Sequence, residues 1–268
     1  MSAVLHAGWN AAVKAHVKPT EVMTAQMVLS ALLGLPALLW TGLPNAAALP
    51  WIVGSTSINL VIVTALLRAY GLIGFGSAYP VVRALSVMLV TPLAILLSGE
   101  LLSAWGLAGI GLIVASLLLL ALGNRGNAAV PRSALFWMGL AGVATAGYVL
   151  CDSQGVRHAG SPLAYGFVVS ATNAAAMFVF QGFTARQWRS VVTHAGIAVP
   201  IALASTVSYL LILWVWAHAP VAPASALRDT SSIFAIVIAI VFLREPFTRL
   251  RLLAILLSAA AVPLLRFA

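Results

Sequence analysis

Apolar runs, most about as long as a bilayer-crossing helix, follow one another along the chain, broken only by short stretches of charge, Pro or Gly. A backbone in hydrocarbon must satisfy its own hydrogen bonds, so such runs fold as helices packed on helices. Ten windows emerge, near residues 1–15, 22–41, 50–69, 77–98, 104–122, 134–156, 163–181, 195–217, 221–243 and 249–267. The expected fold is an all-α polytopic membrane protein with ten transmembrane helices. Of 268 residues, 62% are hydrophobic and 7% charged, against about 25% charged in a soluble domain. The bilayer must therefore be its solvent. The net charge of +9 does not indicate a nucleic-acid binder, because the basic residues stand singly or in twos and threes between apolar runs. Cys151 is the only cysteine. It can form no intramolecular disulfide, and it reads as a small buried residue.

One stretch has an echo. Tyr79-Pro-Val-Val-Arg83 leads through an apolar helix to Ser98-Gly-Glu100, and Ala224-Ser-Ala-Leu-Arg228-Asp229 leads to Leu243-Arg-Glu245. Laying Arg83 on Arg228 also puts Ser86 on Ser231 and Glu100 on Glu245. Lys14 to Pro19 resembles Arg157 to Pro162 at a slightly different offset. The chain therefore reads as two five-helix repeats, 1–122 and 134–268, joined by 123–133. An odd number of spans per repeat inserts the second copy upside down, the plan of many secondary transporters. Small residues at helix-packing spacing, Gly111 with Ala115 and Gly142 with Ala146, suit close helix approach. Trp40, Trp51, Trp105 and Trp188 lie near expected helix ends, where aromatic rings favour the membrane interface.

Lysine and arginine bias sets orientation. The connections after helices one, three, five, seven and nine carry Lys14, Lys18, Arg68, Arg125, Arg132, Arg186, Arg189, Arg244, Arg249 and Arg251. The other side carries Arg157 and Arg266. This count puts the first group in the cytoplasm and both termini outside. The first window is shorter than a spanning helix, so the natural start is expected several residues upstream of Met1.

Ionisable groups inside membrane helices are costly and tend to face a bundle interior or a water-filled cavity. Arg83, Asp152, Arg228 and Asp229 are the candidates. At about 1.5 Å per residue, Asp152 and Arg228 lie at similar depth near the outer face, which suggests an ion pair. Adjacent helical residues do not face each other, so Asp229 is not expected to neutralise Arg228. Trp9 occupies the position in the first copy that matches Asp152, so Arg83 is expected to lack a built-in counter-ion and to meet an anionic substrate group. Snorkelling to the interface or capping a helix carbonyl is its structural alternative. His6, Trp9, Asn10 and Tyr79 are expected to shape the cytoplasmic half of a pocket, and Tyr148, Asp152, Tyr209, Trp214 and Arg228 the outer half. Interhelical hydrogen bonding is the plainer reading of His6 and Asn10, and it covers Asn59, Thr64, Asn173, Ser205 and Ser208. Asp152 is either an ion-pair partner or a proton-coupling carboxylate. Glu100 and Glu245 each precede a helix whose positive start they would favour.

Enzyme motifs are missing. The chain has no H-E-x-x-H, no G-x-S-x-G and no phosphate loop with its lysine. With five acidic residues in all, it offers little to a metal. No catalytic residue, metal or cofactor is expected.

His6-Ala-Gly-Trp-Asn-Ala-Ala-Val-Lys14, Ala78-Tyr-Pro-Val-Val-Arg83, Gly99-Glu100, Arg244-Glu245 and Ala226-Leu-Arg-Asp-Thr-Ser231 together resemble EamA-type members of the drug/metabolite transporter superfamily. The resemblance covers essentially the whole chain. It implies ten helices and a central cavity lined mainly by helices one, three, four, six, eight and nine. It also implies alternating access, outward movement of small metabolites, and cytoplasmic termini, opposite to the charge count. The expected function is an inner-membrane exporter or exchanger of a small polar metabolite, anionic or zwitterionic, with proton coupling as an option and a monomer or homodimer as its state. A membrane enzyme acting on lipids and a non-transporting membrane partner are the alternatives.

Overall fold

The computed structural model describes residues 1–14, 16, 19–123, 130–180, 185–231, 233–234 and 248–267. Among them, all regular structure is helical. The α-helices are α1 (Ser2–Lys14), α2 (Pro19–Gly34), α3 (Leu38–Thr41), α4 (Leu49–Ile73), α5 (Phe75–Ser98), α6 (Ala104–Gly123), α7 (Arg132–His158), α8 (Pro162–Phe180), α9 (Ala185–His218), α10 (Val221–Asp229) and α11 (Arg249–Leu264). Among the described residues, six helical segments are long and apolar enough to cross a membrane: Ala46–Ile73, Ala78–Leu97, Ala104–Leu122, Arg132–His158, Pro162–Phe180 and Val191–His218. Large apolar side chains such as Val53, Leu96, Leu97 and Phe136 are exposed, as suits helices whose outer faces meet hydrocarbon.

Over the described residues the helices track the apolar windows with two differences; the ninth window from 235 on lies outside those residues. The second window is broken after Gly34, where Pro36 interrupts the helical donors, and Trp40 falls in the short α3. Helix α9 starts at Ala185, well before the expected 195. Hydropathy marks where a helix can enter lipid, whereas the polar turns around Arg189 stay helical beyond it.

The described residues form two compact units that do not follow the sequence halves. One comprises Met1–Leu60 with Cys151–Ala219, the other Val61–Leu150 with Pro220–Ala268. The boundaries fall inside α4 and α7, which contribute to both.

In the first unit, α2 and α9 are joined by polar contacts as well as apolar ones. The Gln26 amide donates to Ser205 Oγ at 2.7 Å and to Ser30 Oγ at 3.0 Å. The Ser2 hydroxyl donates to the Ser208 carbonyl at 2.7 Å, tying α1 to α9. Such bonds act where hydrophobicity gives helices no reason to associate. Trp9 packs on an apolar cluster of Val13, Val22 and Ile201. A Cβ on Gly166 would stand 2.5 Å from Leu210, so α8 lies hard against α9 there.

In the second unit, Ala65, Ala69, Ala78 and Ala141 are fully buried beside Val82 and Met138. These short side chains let α4, α5 and α7 approach closely. Gly142 meets Leu85, where a Cβ would stand 2.7 Å away. Gly111 is open, contrary to expectation, and it is Gly109 that packs, where a Cβ would stand 2.9 Å from Leu265. Two residues rotate a helix by more than half a turn, so the motif's other face makes the contact. Ser116 on α6 donates to the Ala254 carbonyl at 2.8 Å and lies 2.8 Å from the Ser258 hydroxyl of α11. Gly74 (φ 79°) and Gly99 (φ 63°) bound α5, adopting the positive φ that other residues resist.

Candidate functional site

The buried charges of the second unit gather between α5 and α10. Tyr79 and Arg83 are one turn apart on α5, and Arg83 Nε donates to the Tyr79 hydroxyl at 3.2 Å. The guanidinium carbon sits 5.4 Å from the Tyr79 ring centroid, within cation–π range. Arg83 Nη1 lies 3.3 Å from Asp229 Oδ1, with the two side chains 12% and 5% exposed. Arg228 is close enough for its charge to act on Arg83, Asp229, Tyr79 and Tyr148. Tyr70, from α4, acts on both Arg83 and Tyr79. Two cations, one carboxylate and several phenol hydroxyls therefore share one neighbourhood.

This overturns the expectation that Arg83 has no counter-ion. Asp229 was set aside because a helix turns neighbouring residues away from each other. That geometry takes it off the Arg228 direction and onto α5, where Arg83 waits.

A second device holds α10 in place. The Glu100 carboxylate accepts from Val221 N at 2.6 Å and from Ala222 N at 3.2 Å. It caps the start of α10 and not of the helix that follows it in sequence, as had been expected. The first turn of that helix, α6, is capped by Ser103, whose hydroxyl accepts from Gly106 N at 3.1 Å. Glu100 lies just past the Gly99 turn that ends α5, so one segment ties the end of α5 to the start of α10. Glu245 lies outside the described residues.

In the first unit, Asp152 of α7 is fully buried. The Tyr165 hydroxyl of α8 donates to its Oδ1 at 3.0 Å, and the Tyr209 hydroxyl of α9 donates to its Oδ2 at 2.7 Å. Tyr165 reaches it because Gly155, three residues on, leaves room; a Cβ there would stand 2.4 Å from the ring and hydroxyl. The expected partner, Arg228, belongs to the other unit and interacts with Asp229 within that unit. Arg157 donates to the carbonyls of Trp216 and Ala219 at 3.0 and 3.2 Å.

The remaining candidates divide. His6 and Trp9 meet edge to face at 5.3 Å on α1, and the Asn10 side chain lies outside the described residues. Trp214 is 58% exposed and pairs with His218 at 4.7 Å. Five residues turn a helix by about 140° beyond a full turn, which separates it from Tyr209. Trp51 stacks on His158, with ring centroids 6.2 Å apart. Tyr70 and Tyr165 had not been singled out. Tyr165 left one signal, a tyrosine just across the α7–α8 turn from an intramembrane acid with a glycine at the right spacing. Among the described residues, no group of His, Cys, Asp and Glu could hold a metal ion.

An all-helical protein with bilayer-length apolar helices and charges buried between them is a multi-pass membrane protein. The chain belongs to the EamA-like transporter family, whose sequence model matches residues 132–267; this is the transporter domain of the drug/metabolite transporter superfamily. No curated sequence matches it. A crystal structure of a protein, 16% identical, matches with a TM-score of 0.70 over 98% of this chain and 93% of that one. At that identity the likeness is one of fold.

Proposed function

We propose that the protein is a secondary carrier that exports or exchanges a small polar metabolite bearing an anionic group, and that the Arg83–Asp229–Arg228 cluster receives that group. The reading takes the chain as ten spanning helices in two inverted repeats, working by alternating access in the inner membrane. The observation that carries it is the charge count of the cluster: two guanidinium groups and one carboxylate, largely withdrawn from solvent. The trio has a net charge of +1. Excess charge away from water is costly, and a substrate monoanion would offset it. Arginine suits this role, because its planar fork binds carboxylate or phosphate oxygens in pairs. Tyr79, Tyr70 and Tyr148 supply hydroxyls for neutral polar atoms of the same ligand. A zwitterion fits if its cationic end reaches Asp229.

A thermal-shift screen of purified protein against small organic anions, zwitterions, cations and neutral sugars tests this. A bound ligand stabilises the state it binds. The expected result is stabilisation by one or more anionic or zwitterionic compounds in the native protein and loss of that stabilisation in Arg228→Gln. Stabilisation confined to cations or neutral compounds would overturn the reading. A reporter fused at Ala268 decides the orientation, for which the charge count expects the termini outside and the family resemblance expects them in the cytoplasm.

A further inference from the structure

Among the described residues, the helices bury two carboxylates, Asp152 and Asp229, and give them different partners. Asp229 faces Arg83. A guanidinium has donors only and keeps its charge, so it favours this acid as the anion. Asp152 instead receives hydroxyls on both oxygens, Tyr165 on Oδ1 and Tyr209 on Oδ2. A phenol both donates and accepts, and its hydrogen turns about the C–O bond. The same two tyrosines can therefore serve Asp152 as carboxylate or as carboxylic acid. If one proton adds to Oδ2, the new O–H donates to the Tyr209 oxygen and the Tyr209 hydrogen turns away. The Tyr165 bond to Oδ1 can stay as it is.

We propose that Asp152 is a proton-binding site of the carrier, filled and emptied during its cycle, with Tyr165 and Tyr209 as its hydrogen-bond partners in both states. The location suits coupling, because the acid from α7 is bonded to α8 and to α9. A change of protonation thus changes what holds three helices together, which is how a local charge event biases a larger rearrangement. Among the described groups that face Asp152 within its unit are Tyr165 from α8, Tyr209 from α9 and the neighbouring Cys151 thiol on α7. Arg157, further along α7, directs its guanidinium to the carbonyls of Trp216 and Ala219.

The test needs no substrate, so its failure is separable from failure of the anion-site reading. Infrared difference spectra of the full chain in proteoliposomes, stepped in pH and repeated in heavy water, read the carboxylic-acid C=O stretch directly. With five acidic residues in the chain, assignment by substitution is practical. The expected result is a band that titrates in the native protein, disappears in Asp152→Asn and persists in Glu21→Gln. An unchanged titrating band in Asp152→Asn, or no titrating band in the native protein, would overturn the proposal. Tyr209→Phe covers the case in which Asp152→Asn does not fold. It leaves the acid in place with one partner fewer, so the band should remain at a displaced frequency. An undisplaced band would also overturn the proposal.

Discussion

The pair between Arg83 and Asp229 can be tested by a double-mutant cycle of Arg83→Gln, Asp229→Asn and both together. At 3.3 Å, and with an effective dielectric of about 20, two unit charges attract by about 5 kcal/mol. Withdrawing both groups from water costs a comparable amount, so the net worth of the pair is small. Removing one partner is different, because the other charge stays behind without it; such losses run to about 3–5 kcal/mol. Arg83→Gln should fall at the lower end, since Arg228 still acts on Asp229. Asp229→Asn should fall at the upper end, since it leaves two cations facing each other. The double variant should then be markedly more stable than the sum of the single losses predicts, with a coupling of about 1–3 kcal/mol. Equilibrium unfolding in mixed micelles gives the four stabilities. Losses that add to within about 0.5 kcal/mol would refute the pairing. The cycle also protects the transport reading: loss of ligand stabilisation in Arg83→Gln alone could reflect damaged folding, whereas loss in a restored double variant could not.

Gly155→Ala would place a Cβ 2.4 Å from Tyr165 and should cost about 1–3 kcal/mol through overpacking, read as a lowered thermal midpoint; an unchanged midpoint would show that the ring moves freely. Glu100→Ala should cost about 1–3 kcal/mol, because two amides at the start of α10 lose their acceptor, while Glu100→Gln, which keeps one carbonyl oxygen, should lose less; equal losses would point to charge alone. Ser116→Ala should weaken the α6–α11 contact by about 1 kcal/mol, measurable by the same unfolding experiment.

Helix positions were legible because hydropathy and Pro or Gly punctuation act locally. Gly74 and Gly99 bound α5 where the sequence breaks its apolar run. The start of α9 was misjudged for the same reason, since polar residues such as Arg189 can be helical without being apolar. Partner choice was less legible. Asp229 was set aside on account of its neighbour in sequence, yet its side chain answers a residue more than half the chain away. Glu100 was matched to the next helix, yet it caps a helix that starts more than a hundred residues later. Both errors share one cause. Sequence gives the direction of a side chain around its own helix, but not which helix stands in that direction. Composition did narrow the search to a few residues, because buried charge is scarce enough here for nearly every instance to need a structural reason.

The two echoing stretches sharpen this point where they differ. Arg83 and Arg228 occupy matching positions, as do Ser86 and Ser231, but Ala84 stands where Asp229 stands in the second copy. A pair of identical copies would supply two arginines with no acid or with two. Only the departure from repetition yields two arginines around one aspartate. Restoring the symmetry should therefore alter selectivity more than architecture. In Ala84→Asp a second carboxylate would stand next to Arg83 in sequence, as Asp229 stands next to Arg228, and the formal charge of the neighbourhood would fall from +1 to zero. Any anionic ligand that stabilises the native protein should bind it at least tenfold more weakly, a change of about 1.4 kcal/mol. Unchanged affinity, measured by ligand-dependent thermal shift in a variant that still folds, would mean that the excess charge of the cluster does not select the ligand.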